Sequence, residues 1–311
     1  MNDALHPKLD RMRNILRALG RVVVAYSGGV DSVFVLKVAV DTLGVRNVLA
    51  VTSRSPSVPD ADLEQARTLA DSFGVEHVLI DPGEFENSDY LANPTNRCYI
   101  CKSALYAEIE DIRCRRDFDA IVSGTNADDL GDYRPGLRAA KEHGVREPCV
   151  EAGLTKHDIR VLSAEMGLPT SDKPASPCLS SRVPYGQAIT PEKMRMIDQA
   201  ETFLRNLMAS LAQELATQKP PAHRAGSCRA GVRREEQNPP TPGETCSVPV
   251  DCRVRHHGEL ARIEVPQEWI EILAKPENCS RIEAEFRTIG FRYVSLDLRG
   301  FRSGSLNEGV V

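Results

Sequence analysis

Residues 21–36 read RVVVAYSGGVDSVFVL, and this stretch decides the fold of the amino-terminal half. The β-branched run Arg21–Tyr26 is typical of a strand buried on both faces of a parallel sheet. It ends at Ser27-Gly28-Gly29, where an apolar helical pattern begins. Two glycines let the backbone approach a bulky anion, and the free N–H groups of a helix start point at that anion. The stretch therefore predicts a phosphate-binding loop.

Three side chains of this loop can take part in binding. Ser27 and Ser32 add hydroxyl donors, and Asp31 precedes the second of them. A carboxylate beside phosphate is unusual unless it orients a donor or reaches Mg²⁺. The loop is not of the Walker type, because no Gly-Lys-Ser/Thr follows the glycines. The alternative is an ordinary glycine turn before a helix.

Strand and helix patterns alternate after this loop. They are predicted at Val48–Thr52, Asp60–Phe73, Glu76–Ile80, Lys102–Arg113, Ala120–Ser123 and Thr155–Met166. Strands separated by helices imply βαβ units with right-handed crossovers. The predicted fold class is α/β, a doubly wound parallel sheet, and we assign residues 1–190 to this domain.

A smaller α+β domain is predicted over residues 191–311, after a Pro-, Ser- and Gly-rich loop. Its elements are predicted at Glu192–Leu207, Cys252–His257, Ala261–Val265, Gln267–Ala274, Ser280–Thr288 and Arg292–Leu298. Residues 209–251 interrupt the domain with six prolines and little apolar periodicity. Such a stretch buries too little apolar surface to offset its ordering entropy, so we expect a disordered insertion there.

Composition narrows the function classes. Lys and Arg number 39 against 44 Asp and Glu, a net charge of −5, and aromatic residues are only 5%. Both values disfavour a nucleic-acid partner. No apolar run approaches the roughly 20 residues of a membrane helix, and Met1–Arg13 lacks a secretory signal pattern. We expect a cytoplasmic protein with no membrane partner, in which nine cysteines suggest metal or reactive thiols before disulfides.

Three cysteines are candidates for chemistry. Cys98 and Cys101 form a CxxC, which is half of a metal site and needs a partner. Cys178 is the best candidate partner, because it lies in the flexible loop near Arg182, where a lowered thiol pKa is plausible. The alternatives are a small buried hydrophobic side chain at Cys178 and two unrelated thiols in the CxxC. Five of the other six cysteines are predicted to be packing, surface or insertion residues: Cys114, Cys149, Cys228, Cys246 and Cys279.

Two polar groups complete the candidate site. Arg253 and Arg255 are two residues apart on a predicted strand, so they share a face and can clamp a phosphate, unless they are solvated strand arginines. Glu264, in the following strand, is an outward-facing or ligand-orienting carboxylate. Asp128 and Asp129 follow the fourth strand, where they can bind Mg²⁺ or cap a helix.

The SGGVDS loop resembles the PP-loop of the ATP pyrophosphatase superfamily, and the rest of the chain resembles one family within it. The motifs are NPTNRCYICK (Asn93–Lys102), GTNADDLGDYRPGLRAA (Gly124–Ala140), PCLSSRVPYG (Pro177–Gly186), RVRHHGELARIEV (Arg253–Val265) and FRYVSLDLRGFRSGSLNE (Phe291–Glu308). They resemble the LarE family of ATP-dependent sulfur transferases, which act in nickel-pincer nucleotide cofactor biosynthesis. The resemblance covers nearly the whole chain apart from residues 209–251.

The resemblance implies a reaction and a set of ligands. ATP is split between its α and β phosphates, the loop holds pyrophosphate, and Thr52, Ser53 and Gly124 are placed to meet the adenosine. The implied substrate is pyridinium-3,5-biscarboxylate mononucleotide, whose carboxylates are adenylated and then converted to thiocarboxylates. Arg253 and Arg255 are implied to hold its phosphate or carboxylate, and Arg182 and Glu264 are further substrate-binding candidates. The family's members form higher oligomers, so we expect a homo-oligomer, a hexamer by resemblance.

The family uses two sulfur strategies. A cysteine at the Cys178 position donates its own sulfur and becomes dehydroalanine, or it joins a CxxC to hold a [4Fe-4S] cluster that carries an extra sulfide. Because Cys98, Cys101 and Cys178 are all present, we favour the cluster, fed by sulfide or by a sulfur donor protein. Three thiolates leave one iron open for that sulfide.

Three other functions remain as alternatives. A PP-loop tRNA thiolation enzyme shares the ATP chemistry, but the net charge of −5 disfavours it. A non-enzymatic ATP-binding regulator would release no pyrophosphate. An amidotransferase-type ligase is disfavoured, because no glutaminase domain precedes the loop.

Overall fold

The computed structural model describes residues 5–131, 135–218 and 251–302. The helices are α1 (Leu5–Leu19), α2 (Val30–Leu43), α3 (Asp60–Ser72), α4 (Ser88–Leu91), α5 (Arg97–Arg115), α6 (Pro135–Glu142), α7 (Pro148–Ala152), α8 (Lys156–Glu165), α9 (Pro191–Gln218), α10 (Gln267–Leu273) and α11 (Pro276–Ile289). The strands are β1 (Val22–Ala25), β2 (Val48–Ser53), β3 (Glu76–Ile80), β4 (Ala120–Val122), β5 (Arg253–His257), β6 (Leu260–Glu264) and β7 (Tyr293–Leu296).

The amino-terminal sheet is parallel, with strand order β3-β2-β1-β4. Alternate residues of its central strands enter two separate cores. Val22 and Val24 pack with α1, α2 and α8 on one face, and Val23 packs with α5 and α6 on the other. The prediction of a doubly wound α/β fold is confirmed. The strand order reverses between β1 and β4, which opens a crevice at their carboxyl ends, where ligands bind in such folds.

The carboxyl-terminal sheet has the order β5-β6-β7 and its own core. β5 and β6 form an antiparallel hairpin around Gly258, whose φ of +67° suits glycine. β7 is parallel to β6, and α10 and α11 lie between them in the chain. Leu204 and Met208 of α9 are fully or almost fully buried in this core.

Two predicted boundaries are wrong. α9 continues to Gln218, ten residues into the stretch expected to be disordered from residue 209, because Leu211 is buried in the second core. The remainder of that stretch, with Cys228 and Cys246, lies outside the described residues. α5 begins at Arg97 instead of Lys102, so Cys98 and Cys101 lie in the first turn of a helix, not in a loop.

No helix within the described ranges is both long and apolar enough to cross a bilayer.

Candidate active site

The phosphate loop is closed by hydrogen bonds between its own residues. The backbone N–H of Ser27 donates to Oγ of Ser32 (3.2 Å), and the two hydroxyl oxygens lie 3.1 Å apart. Ser32 also lies within hydrogen-bond distance of the carbonyl of Gly29 (3.1 Å). Gly28 has φ +70°, and a Cβ there would stand 2.8 Å from Cβ of Ala66. The loop is therefore preformed at the start of α2, at the carboxyl end of β1.

The carboxylate of Asp31 is paired with a lysine from a distant helix. Nζ of Lys156, the first residue of α8, lies 2.6 Å from Oδ2 of Asp31. The other carboxylate oxygen, Oδ1, is buried and has no hydrogen-bond partner. Burial raises the pKa of Asp31, with Lys156 opposing this and the charge of Asp129 adding to it. One oxygen is thus available to a cation or donor brought by a ligand.

Gly124 lies against the phosphate loop. A Cβ at this position would stand 2.8 Å from the backbone nitrogen of Ser32 and 3.0 Å from its Cα. The loop after β4 therefore needs a residue without a side chain where it passes the start of α2. This close approach brings the predicted Gly124 to the predicted phosphate loop.

Thr52 stabilises the backbone directly before the phosphate loop. Its hydroxyl donates to the carbonyl of Tyr26 (2.5 Å), so Nε2 of His77 must be the donor in the 2.8 Å contact with the same hydroxyl. Thr52 is buried, and Ser53 beside it is half-buried at the end of β2. Thr52 thus fixes the residue that precedes the phosphate loop, while Ser53 is the more accessible of the pair.

Asp128 and Asp129 shape the turn after β4. Oδ2 of Asp128 accepts from the backbone N–H of Lys156 (2.9 Å), and Oδ2 of Asp129 accepts from that of Asn126 (3.1 Å). Asp128 therefore satisfies the first N–H of α8, whose N-cap residue is Thr155. Over the ranges the structure covers, no three His, Cys, Asp or Glu side chains are arranged around a single metal ion.

The structure brings the three candidate cysteines into one neighbourhood. Cys98 and Cys101 are three residues apart in the first turn of α5, so they share a face. Cys98 is an exposed residue, yet desolvation of its thiol by neighbouring groups, and next the charge of Cys178, raise the pKa of Cys98. Burial also raises the pKa of Cys101 to about 12, where Lys102 opposes the shift and Cys178 adds to it. The thiol of Cys178 therefore lies close enough to raise the pKa values of both helix thiols.

An arginine cage holds the Cys178 loop, which we define as residues 175–182. Arg182 is 1% exposed and forms two hydrogen bonds with Glu201, at 2.8 and 3.0 Å. Its Nη1 also donates to the carbonyl oxygens of Pro177 (2.6 Å) and Cys178 (3.2 Å). Burial alone would raise the pKa of Glu201, but the charge and hydrogen bonds of Arg182 outweigh it and lower that pKa.

The strand arginines complete the cage from the second sheet. Nη2 of Arg253 donates to the carbonyl of Ala175, and Nη1 of Arg255 donates to that of Ser181, both at 2.8 Å. Glu264 is fully buried and accepts from Arg255 at 2.8 Å. Arg253 and Arg255 are buried, which disfavours the alternative of solvated strand arginines. They hold backbone carbonyls on both sides of Cys178.

The Cys178 loop also touches the edge of the parallel sheet where the nucleotide is expected. The N–H of Leu179 donates to the carbonyl of Ser57 (2.8 Å), in the loop that follows β2. The hydroxyl of Ser180 lies 2.8 Å from that of Tyr90. The Cys178 loop is therefore in direct contact with the loop that follows β2.

Sequence reasoning missed three residues of this site. Lys156 contacts Asp31 across 125 residues, a separation that no local pattern reveals. Asn93 contacts the segment after the Cys178 loop across about 90 residues. Glu201 left a signal, because it lies one residue after Ala200 and three before Leu204, on the apolar stripe of α9. A carboxylate on that stripe needs a buried cation.

Comparison with known proteins gives a consistent picture. A family profile described as NAD synthase matches residues 10–90. An uncharacterised protein of Synechocystis sp. is 39% identical over 304 residues, which is 98% of each chain. The pyridinium-3,5-bisthiocarboxylic acid mononucleotide synthase of Lactiplantibacillus plantarum is 35% identical over 297 residues, 94% of this chain and 91% of its own.

A more distant relative matches about half of the chain. A tRNA-specific 2-thiouridylase of Azorhizobium caulinodans is 30% identical over 196 residues, 50% of this chain and 49% of its own. The Lactiplantibacillus relative, by contrast, matches through both sheets and the Cys178 loop. A phosphate loop of PP-loop type and a likeness of that extent lead to one conclusion: the chain belongs to the LarE family of ATP-dependent sulfur transferases.

Proposed function

We propose that this protein adenylates the carboxylates of pyridinium-3,5-biscarboxylate mononucleotide and replaces an oxygen of each with sulfur, as a step in nickel-pincer nucleotide cofactor biosynthesis. The observation that carries the proposal is the contact between the Cys178 loop and the loop after β2, where the N–H of Leu179 donates to the carbonyl of Ser57, together with the influence of Cys178 on the pKa values of Cys98 and Cys101. The named activity of the Lactiplantibacillus relative supports the substrate.

The reaction has two steps. A substrate carboxylate oxygen attacks the α-phosphorus of ATP, the bond between the α-phosphorus and its bridging oxygen breaks, and pyrophosphate leaves. Ser27, Ser32 and the N–H groups at the start of α2 are suited to hold that pyrophosphate. A sulfide then attacks the acyl carbon, and AMP leaves with the former carboxylate oxygen. Ser53 and Gly124 lie on the side where the adenosine is expected.

Mg²⁺ enters this proposal with ATP. Oδ1 of Asp31 is buried and has no hydrogen-bond partner, so it fits a cation that accompanies the phosphates. Asp128 and Asp129, in the turn after β4, already accept backbone N–H groups. Asp31 is therefore the first candidate for contact with the metal, and Asp128 and Asp129 are candidates for contact through water.

The sulfur source we propose is a [4Fe-4S] cluster held by Cys98, Cys101 and Cys178. The donor set fits, because each thiolate of such a cluster binds a different iron atom and the thiols need not converge on one point. The three thiolates repel one another, and iron relieves that repulsion. When bound, the cluster supplies a sulfide on the iron that no protein thiolate occupies. Free sulfide or a sulfur donor protein would replenish it.

The arginines have a double role in the proposal. Arg182, Arg253 and Arg255 fix the Cys178 loop through backbone carbonyls, so the thiol is positioned without using its side chain. An incoming substrate phosphate or carboxylate would exchange with one of these carbonyl contacts, with Glu264 orienting Arg255. A homo-oligomer, a hexamer by family resemblance, remains part of the proposal.

Anaerobic purification followed by mass spectrometry tests the sulfur source. We expect bound iron, an unchanged mass for the peptide that carries Cys178, and repeated turnovers when sulfide is added. Cys98→Ala and Cys101→Ala should lose both iron and sulfur transfer. Cys114→Ala is the matched control, because Cys114 is an exposed thiol in the last turn of the same helix.

Dehydroalanine at Cys178 in an iron-loaded sample would overturn the cluster proposal and favour a sacrificial cysteine. Pyrophosphate release that does not depend on the pyridinium substrate would overturn the substrate assignment. Steep salt-dependent binding of tRNA would favour a tRNA thiolation enzyme instead.

A further inference from the structure

Asn93 connects the helix that carries Cys98 and Cys101 to the segment that follows Cys178. Its side chain is fully buried. Nδ2 lies 2.8 Å from the carbonyl oxygen of Pro184, 3.1 Å from that of Gln187 and 3.2 Å from that of Val183. All three carbonyls belong to the few residues that directly follow the Cys178 loop. One amide group thus gathers this segment from about 90 residues away.

The same side chain reaches the cysteine helix with its other end. Oδ1 of Asn93 accepts from Nη1 of Arg97 (2.7 Å), and Arg97 is the first residue of α5 and the neighbour of Cys98. Arg97 is buried, and its guanidinium stacks over the ring of Tyr185 at 4.7 Å. Tyr185 itself lies between the carbonyls that Asn93 gathers. The two segments are therefore joined twice at one point.

The backbone of Asn93 is held in an unusual conformation. Its φ is +55°, and among the described residues Asp117, with φ +57°, is the other non-glycine residue with positive φ. Asparagine tolerates this region better than most residues, but the conformation persists only where contacts over-determine it. The carbonyl of Asn93 accepts the N–H of Gly186 (2.9 Å), which adds one more contact to the same segment.

We propose that Asn93 is a positioning residue that sets the distance between the helix thiols and Cys178. The proposal rests on the shared three-thiol site proposed above, but it concerns the protein alone and needs neither ATP, iron nor substrate. Cys98 and Cys101 are fixed relative to each other by their helix. Asn93 and Arg97 relate the start of that helix to the segment after Cys178 through the buried hydrogen bonds of one side chain.

Asn93→Gly tests the proposal, because glycine adopts positive φ without strain and only the side chain is removed. Iron-free protein is treated with a short bis-maleimide, whose two double bonds each add one thiol, and tryptic peptides are analysed by mass spectrometry. Cys98 and Cys101 lie in one peptide, residues 98–102, and Cys178 in another. We expect the link between the two peptides to fall at least about fivefold. The link within residues 98–102 should stay unchanged, which provides an internal reference.

Asp117→Gly is the matched control, because Asp117 has the same backbone conformation but is exposed. Both links should stay at the wild-type level in that variant. Asn93→Asp is the second test variant, since it keeps an acceptor for Arg97 and removes the donor; it should lose the link between the peptides as well, and it replaces Asn93→Gly if that variant does not fold.

Two further readouts separate positioning from general stability. Formation of AMP and pyrophosphate should persist in Asn93→Gly, while sulfur transfer falls with the cross-link. A folded Asn93→Gly protein with wild-type cross-linking between the two peptides would overturn the proposal. Failure of the proposed sulfur chemistry would leave this cross-linking result untouched, so the two failures are distinguishable.

Discussion

The phosphate loop and the Cys178 loop are held in opposite ways. The phosphate loop is closed by contacts between residues three to five positions apart, such as that between Ser27 and Ser32. The Cys178 loop is held by Arg255 and Arg253, 74 and 78 residues away. The first is a property of one short segment, whereas the second exists only once the carboxyl-terminal sheet has folded. Adenylation and sulfur transfer therefore depend on different parts of the fold.

The largest expected effect falls on the Cys178 loop. Glu201→Gln leaves the charge of Arg182 buried without its counter-ion, and breaking such a pair costs about 3 kcal/mol of unfolding free energy. Denaturant unfolding of Glu201→Gln against wild type measures this. Glu283→Gln removes an exposed partner of Arg287 and should leave the unfolding free energy unchanged. An unfolding curve of Glu201→Gln that superimposes on wild type would show that the cage does not need its carboxylate.

Substitutions in the phosphate loop should lower the reaction rate more than they lower the free energy of unfolding. Asp31→Ala and Ser32→Ala are expected to lower formation of AMP and pyrophosphate by about 100-fold or more, because charge-stabilising contacts at the phosphates are lost. Asp41→Ala is the control on the same helix, since Asp41 pairs with Lys37 at the opposite end. The thiol cross-link should be unaffected in all three variants. Cleavage of ATP to ADP and phosphate would instead show that the loop cuts a different bond.

A smaller effect is expected where the two strand-end loops meet. Gly124→Ala places a methyl group 2.8 Å from the nitrogen of Ser32, so one of the two loops must shift. We expect about tenfold slower pyrophosphate formation, a cost of roughly 1.4 kcal/mol in the barrier. Gly136→Ala is the control, because its methyl group would meet a flexible lysine side chain, Lys102, at 3.2 Å. Equal rates for both variants would mean that the Ser32 backbone yields without loss.

The smallest change concerns one thiol in the iron-free protein. Burial raises the pKa of Cys101 to about 12, so its reactive thiolate is scarce at neutral pH. Its alkylation rate should rise about tenfold per pH unit between pH 7 and 10 without levelling off. Peptide mapping after timed iodoacetamide treatment measures this, with the exposed Cys114 as the reference for the reagent. A plateau near pH 8 would place the thiol outside the buried neighbourhood of Cys178.

The contrast between the loops also explains what could be predicted from the sequence. The parallel sheet and the phosphate loop were predictable because their signals are local: a β-branched run, two glycines and an apolar helix pattern. The start of α5 was missed because Asn96, its cap residue, makes no side-chain hydrogen bond with the helix. The extension of α9 was not predicted, although Leu211 continues the spacing of Leu204 and Leu207, because the prolines that follow indicate a disordered stretch.

Long-range contacts account for the rest. Lys156 and Asn93 show no pattern that points to their partners, since each meets them only after the strands have been ordered in the sheet. The shared face of Arg253 and Arg255 was predictable, but their burial and their hydrogen bonds to backbone carbonyls were not. The role of Arg182, Arg253, Arg255 and Glu264 toward a substrate stays a prediction.

α9 has a consequence for how the protein opens and closes. Its early residues Met194 and Ile197 pack with Leu179 of the Cys178 loop, and its later residue Leu204 lies in the core of the second sheet. Because one continuous helix connects them, we expect the Cys178 loop and the second sheet to form one cooperative unit in local unfolding. Amide hydrogen exchange in residues 178–183 should therefore keep pace with that of β5. α5, which carries Cys98 and Cys101, packs instead against the parallel sheet, so a movement between this unit and that sheet would change the distance between Cys178 and the two helix thiols.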